Sequence, residues 1–207
     1  MILPLFQIES NFNIDNVDLL FSLFSELATY ELDKSLKMSG QHQAIDIMIE
    51  SSPILHEWQN AKILLEHTPI YQRYQRDYKN FTEDDYSNLK NEVQNCGHVL
   101  SPEQLVFRGM LTNAIDANWN RPLSTTVHPR IAAYHAFKHR ENIYPKPDIT
   151  IAALSFPMDK NVKALVGPFG EGSDFGHEYE VLVSLIHPPK EAHRKQVNGI
   201  TYAIYSC

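Results

Sequence analysis

The segment Gly176-His177-Glu178-Tyr179-Glu180-Val181-Leu182-Val183-Ser184 places two carboxylates two residues apart at the head of an apolar run. Successive side chains of a β-strand point to opposite faces, so this spacing predicts Glu178 and Glu180 on one face and Tyr179 on the other. Paired acids repel each other and are costly to desolvate, so a pair opening a core strand points to chemistry. The alternative is a solvated strand mouth. Directly before the pair, residues 167–177 (GPFGEGSDFGH) carry four of the eight glycines and predict a loop with special backbone angles.

Other side chains offer chemistry of their own. Arg108, in Gln104-Leu105-Val106-Phe107-Arg108-Gly109, has a planar fork of donors suited to phosphate, or it is a structural ion-pair partner. Ser124-Thr125-Thr126 puts three hydroxyls on one short segment, which as readily makes a β-prone strand. His135 and His139 are four apart, with His128 about two turns earlier, a spacing that suits a metal. Ala136 follows His135 where a metallohydrolase needs glutamate, so these read as packing or surface histidines, with Tyr134, His135 or Phe137 free to border a pocket. His177 is a loop histidine beside the acids. Tyr71-Gln72-Arg73-Tyr74-Gln75-Arg76-Asp77-Tyr78 could stack on a ring, but reads first as a half-exposed helix with its tyrosines toward the core.

These residues need elements to hold them. Val17, Leu20, Phe21, Phe24, Leu27 and Ala28 recur at helical spacing within 13–37, and two more helices are predicted over 44–49 and 54–65. Phe81-Thr82-Glu83-Asp84-Asp85 is a capped helix start leading to Val93. After Cys96-Gly97 the texture changes to β-branched and aromatic runs at 104–109, 122–127, 149–156, 162–166, 178–186 and 197–205, with one helix at 129–140. Residues 1–207 are therefore expected to form one α+β domain, helical over 1–100 and β-rich over 101–207.

Composition narrows the classes. No stretch can span a bilayer, the start has no signal-peptide pattern, and Cys96 and Cys207 make no disulfide framework, so a cytoplasmic, reducing setting is expected. The net charge of −7 argues against an extended grip on nucleic acid. That charge is uneven: residues 1–100 hold 15 acids and 7 bases, residues 101–207 hold 10 and 11, so the second half accepts an anionic ligand more easily.

Taken in order, Phe107-Arg108-Gly109, Leu123-Ser124-Thr125-Thr126, the glycine-rich loop and Glu178-Tyr179-Glu180 resemble the R-S-E class of arginine-specific-type mono-ADP-ribosyltransferases. Their pattern is an arginine, an S-T-S strand and an E-x-E pair, with Thr126 here at the usual last serine. The resemblance covers residues 104–186. It implies a core of two antiparallel sheets forming an NAD cleft, and NAD as a substrate. By the same resemblance Arg108 binds NAD, Gly109 lets the backbone approach the nicotinamide, and Ser124 orients Glu180. Thr125 supports the nicotinamide pocket, Glu180 stabilises the oxocarbenium-like ribose through its 2′-hydroxyl, and Glu178 serves the acceptor. Phe169 or Phe175 would contact the target.

The expected function is ADP-ribose transfer from NAD to a macromolecule, with an arginine of a protein as the acceptor associated with E-x-E. A bacterial or phage toxin or effector would suit the small size, with an immunity or antitoxin protein as a partner and no membrane. Three alternatives stay open. Water as acceptor gives an NAD glycohydrolase. A nucleic-acid acceptor calls for a basic surface, for which Lys160, Lys163, Lys190, Arg194 and Lys195 are available. A non-catalytic binding module is the third.

Overall fold

The computed structural model describes residues 2–3, 17–33, 47, 65–100, 104–114, 119–156, 162–167 and 179–207. Apart from residues 47 and 65, the helices expected over 44–49 and 54–65 lie outside them, as does the loop expected over 167–177 beyond Gly167, with Phe169, Phe175 and His177, and so does Glu178.

Four α-helices are described: α1 Val17–Leu32, α2 Pro69–Asp77, α3 Glu83–Cys96 and α4 Pro129–Arg140. Nine strands accompany them: β1 Ile2–Leu3, β2 His98–Leu100, β3 Leu105–Leu111, β4 Leu123–Thr126, β5 Ile149–Ser155, β6 Lys163–Val166, β7 Glu180–Ser184, β8 Lys190–Val197 and β9 Ile200–Ser206. The α+β class expected from the sequence is the class observed.

Hydrogen bonding links the strands in the order β1-β2-β6-β7-β4-β3-β5-β9-β8. Most pairs are antiparallel, and β1–β2 and β5–β9 are parallel. β4 pairs with β7 over four residues and β3 with β5 over seven, whereas β3 and β4 meet only at Phe107↔Thr126. The two expected sheets are thus two wings joined at one residue pair, and β3 and β4 are free to diverge beside it.

Alternation along the strands builds two cores. Ala164, Val166, Val181 and Val183 face the main core with α1, α4, β3, β5 and β9. Leu165 and Leu182, between them in sequence, face the other way onto Tyr71, Leu89 and Val93 of α2 and α3. The β6–β7 wing is therefore covered on both faces. Glu180 shares the parity of Leu182 and so faces the α2–α3 layer.

Local chemistry sets the helix ends. Thr82 and Asp85 close a capping box at α3, and Glu83, Asp84 and Asp85 favour its positive N-terminus. Pro129 opens α4 in the first turn, where its missing N–H costs nothing, and Lys138, His139 and Arg140 complement its last turn.

Two strand expectations change. The run 197–205 is interrupted, because Asn198 (φ 52°) and Gly199 (φ 74°) form the two-residue turn of the β8–β9 hairpin. The strand expected from Glu178 begins at Glu180, and Tyr179 has a left-handed φ of 47°.

Candidate active site

A cleft of about 720 Å³ opens where β3 and β4 diverge. Arg108 and Gly109 of β3, Ser124, Thr125 and Thr126 of β4, and Glu180 at the head of β7 form its floor. α4 supplies one wall with Ile131, Ala132, His135, Lys138 and His139, while Tyr74, Gln75, Tyr78 and Tyr86 come from the α2–α3 layer.

Strand pairing brings these side chains together across long stretches of sequence. Ser124 is opposite Leu182, and Thr126 is opposite Glu180. Paired residues share a face, so Ser124 and Glu180 lie on the same side, two positions offset along the ladder. Ser124 Oγ donates to Glu180 Oε1 at 2.6 Å. Arg108 donates through its guanidinium to the Ser124 carbonyl, tying β3 to β4 beyond the point where their backbones part. The expected arginine, serine and glutamate therefore meet in one place.

Glu180 is only 8% exposed, and its other oxygen is also engaged. Oε2 accepts from the Tyr71 hydroxyl at 2.7 Å and from Gln75 Nε2 at 3.0 Å. Sequence reasoning placed the tyrosines of this helix against the core, which holds for Tyr71, but it did not connect them to Glu180. The i,i+4 spacing of Tyr71 and Gln75 was the available signal.

Two of the expected residues, Gly109 and Thr125, line the cleft and also serve the packing around it. A Cβ on Gly109 would lie 1.8 Å from the Ala132 carbonyl oxygen and 2.6 Å from the Ala136 nitrogen, so the missing side chain admits the backbone of α4. Thr125 is buried and its hydroxyl donates to the Val181 carbonyl at 2.5 Å, which fastens β4 to β7. Because Tyr179 is left-handed, strict alternation does not run back through it, and the same-face placement of Glu178 and Glu180 loses its basis.

Of the histidines, His135 and His139 line the cleft and their ring centroids stand 6.1 Å apart. His128 is buried and caps α4, its Nδ1 accepting from the Arg130 N–H at 3.3 Å. Among the described residues no three His, Cys, Asp or Glu side chains come together as a metal site. Tyr134 and Phe137 are absent from the lining, while Arg121, Lys138 and Lys79 join it.

The electrostatics follow from burial. Desolvation lowers the Arg108 pKa from its ordinary value, opposed by Tyr74 and by the negative charge of Glu180. Arginine's intrinsic basicity keeps it charged regardless. Burial raises the Tyr74 phenol well above its ordinary value, with Glu180 adding to the effect, so Tyr74 presents a neutral hydroxyl. His139 is held below the usual imidazole value by desolvation first, then by the charges of Arg108 and Lys138. Among the described residues that line the cleft, Glu180 is the one acid, and it faces Arg108, Arg121, Lys138, Lys79 and the neutral phenol of Tyr74.

Three solved structures are similar in outline. The ADP-ribosyltransferase Vis in complex with agmatine matches with a TM-score of 0.41 and 12% identity, over 91% of this chain and 84% of that one. Vis in complex with the M6 inhibitor matches at 0.39 and 11%, and the Vis toxin, an ADP-ribosyltransferase from Vibrio splendidus, at 0.38 and 11%, with the same coverage. No protein-family model matches the sequence, and no curated protein does. At these values the likeness bears on neither activity nor substrate, and the chemistry rests on the residues of the cleft. Among the described residues no helix is long and apolar enough to cross a membrane.

Proposed function

We propose that the cleft binds NAD, breaks the bond between its nicotinamide and ribose, and transfers ADP-ribose to a macromolecule, with an arginine side chain of a protein as acceptor. The observation that carries this reading is the 2.6 Å hydrogen bond from Ser124 to Glu180 beside Arg108, three residues from three strands converging in one cleft. Its volume of about 720 Å³ is within the range of small-molecule and cofactor clefts.

The reaction suits such a site. The nicotinamide nitrogen is positively charged in NAD, so the electron pair of the breaking C–N bond neutralises it and the group leaves without a general acid. Positive charge develops on the ribose instead. Glu180, fixed and mostly withdrawn from solvent, stabilises that charge and accepts a hydrogen bond from the ribose 2′-hydroxyl. Arg108 offers its remaining donors to the diphosphate, supported by the cationic rim of Arg121, Lys138 and Lys79. Gly109 and Thr125 line the pocket where the nicotinamide would lie. The acceptor nitrogen attacks the anomeric carbon and gives its proton to Glu178, with Phe169 or Phe175 engaging the target. A toxin or effector role, with an immunity or antitoxin partner and action in a cytoplasm, belongs to the same proposal.

The test is incubation of the protein with adenylate-labelled NAD and a cell lysate, following free nicotinamide and label on polymers for the intact chain, Glu180→Ala and Glu178→Ala. Label on protein that depends on both glutamates supports the reading. Nicotinamide without label points to hydrolysis, and label removed by nuclease points to a nucleic-acid acceptor. If NAD survives every condition, the proposal fails.

A further inference from the structure

The Glu180 carboxylate is gripped from two sides, and the R-S-E pattern accounts for only one of them. Ser124 holds Oε1 from β4. Oε2 is held by α2, where Tyr71 and Gln75 stand four residues apart on one helix face and both donate to it. Gln75 Nε2 also lies 3.0 Å from the Tyr71 hydroxyl oxygen, which it reaches as a donor. The three groups form a closed triangle.

Tyr71 is 2% exposed, packed among Leu89, Val93, Leu165 and Leu182, and stands behind Glu180 outside the cleft lining. Gln75 is half-buried and borders the cleft. The helix that carries them is fixed in turn. Glu92 of α3 accepts the backbone N–H groups of Ile70 at 3.0 Å and Tyr71 at 2.7 Å, satisfying the open N-terminus of α2. Thr68, the N-cap residue, makes no side-chain cap bond. Glu92 thus sets the height of α2, and α2 sets the two donors.

A carboxylate has about four acceptor positions. Tyr71 and Gln75 saturate Oε2 and Ser124 takes one position on Oε1, which leaves Oε1 as the oxygen with capacity for a substrate hydroxyl. A glutamate held at one oxygen alone could still swing about its last torsion. Held at both, it presents one oxygen in one direction.

We propose that Tyr71, seconded by Gln75, is a positioning residue that fixes Glu180 through Oε2 so that Oε1 meets the ribose hydroxyl. The proposal rests on the reading of the cleft as an NAD site. Tyr71 touches no reacting atom, so its removal should slow the chemical step and leave NAD binding nearly intact.

The experiment measures steady-state NAD consumption and thermal midpoint for the wild type, Tyr71→Phe and Gln75→Met, together with Tyr71→Phe in a Glu180→Gln background. Phenylalanine keeps the ring in its apolar cluster. The kcat of Tyr71→Phe is expected to fall about 10- to 100-fold, as for loss of a hydrogen bond to a charged group. Its NAD KM should move less than about threefold. In the Glu180→Gln background the same change should bring no further fall, because the carboxylate it serves is gone. A folded Tyr71→Phe with wild-type kcat overturns the proposal, as does an equal fall in both backgrounds. Should Tyr71→Phe fail to fold, Gln75→Met decides: a several-fold lower kcat supports the proposal and an unchanged one overturns it. NAD consumption by the wild type with both variants unaffected removes the positioning role alone, whereas a wild type that consumes no NAD removes the reading of the cleft as well.

Discussion

Gly109→Ala separates two accounts of one residue, because the sequence pattern assigns Gly109 to the nicotinamide and the packing assigns it to α4. The new Cβ would sit 1.8 Å from the Ala132 carbonyl oxygen, and ordinary contact begins at 3.4 Å, so α4 must withdraw by about 1.6 Å at that point. The Ala136 nitrogen at 2.6 Å demands about half as much. Both obstacles are backbone, which cannot rotate aside. Ala132, Ala133 and Ala136 are fully buried against the sheet, so a withdrawal opens a gap along the whole contact. Overpacking of this kind costs typically about 1–3 kcal/mol, and a backbone obstacle places Gly109→Ala at the upper end, about 3 kcal/mol. For a chain of this size that corresponds to a fall in Tm of roughly 6–12 °C. Ile131, Ala132 and His135 line the cleft, so NAD affinity should fall with stability. Denaturant unfolding and calorimetric NAD binding check both. A variant with wild-type stability and lost NAD binding would refute the packing account.

Ser124→Ala removes the donor to Glu180 Oε1, and nicotinamide release is expected to fall about 10- to 100-fold while the fold persists. Thr68→Val keeps the shape of a buried side chain whose hydroxyl has no hydrogen-bond partner among the described residues, so denaturant unfolding should find the variant more stable by roughly 1 kcal/mol. Thr82→Ala tests the capping box by its pH dependence. Asp85 has its pKa lowered first by the Thr82 backbone N–H, then by the Thr82 hydroxyl and Arg73. A depressed acid stabilises fully above its unfolded pKa and loses that contribution as pH falls through the folded one. The difference in midpoint between wild type and Thr82→Ala should therefore be largest near neutrality and shrink below the ordinary aspartate range.

Much of the architecture was legible because its strands are apolar and its helices carry end signals. Pro129 with Ile131, Ala132, Tyr134, His135 and Phe137 predicts a helix over 129–140, the span of α4, and Ile149-Thr150-Ile151-Ala152-Ala153-Leu154-Ser155 is a run buried throughout. β8 was not legible, since all eight residues of Lys190–Val197 are exposed and carry no alternation. It is an edge strand held by its hairpin partner, and charged residues on such an edge discourage further pairing. The run 197–205 reads as one strand on its β-prone residues, whereas the Asn198-Gly199 pair within it is a two-residue hairpin signal.

Arg108, Ser124 and Glu180 were singled out by their resemblance to the R-S-E pattern, and strand register explains why the three side chains meet. Glu178 and Glu180 looked like one strand face because the alternation rule presumes extended backbone, which the left-handed Tyr179 breaks. Tyr71 was read correctly as a buried tyrosine and incompletely as nothing more. Its partner lies 109 residues away, and no local pattern encodes a contact at that separation. Gly109 shows the same limit from the other side, for a glycine announces a close approach without naming what approaches.

The most direct test of the central claim is single-turnover nicotinamide release from NAD by the wild type and Glu180→Gln, with NAD affinity measured for both. The amide keeps the size of the side chain and removes its charge. Release by the wild type is expected, with a fall of about 100-fold or more in Glu180→Gln and NAD affinities within a few-fold of each other. Equal release rates for the two proteins, or intact NAD with both, would contradict that claim.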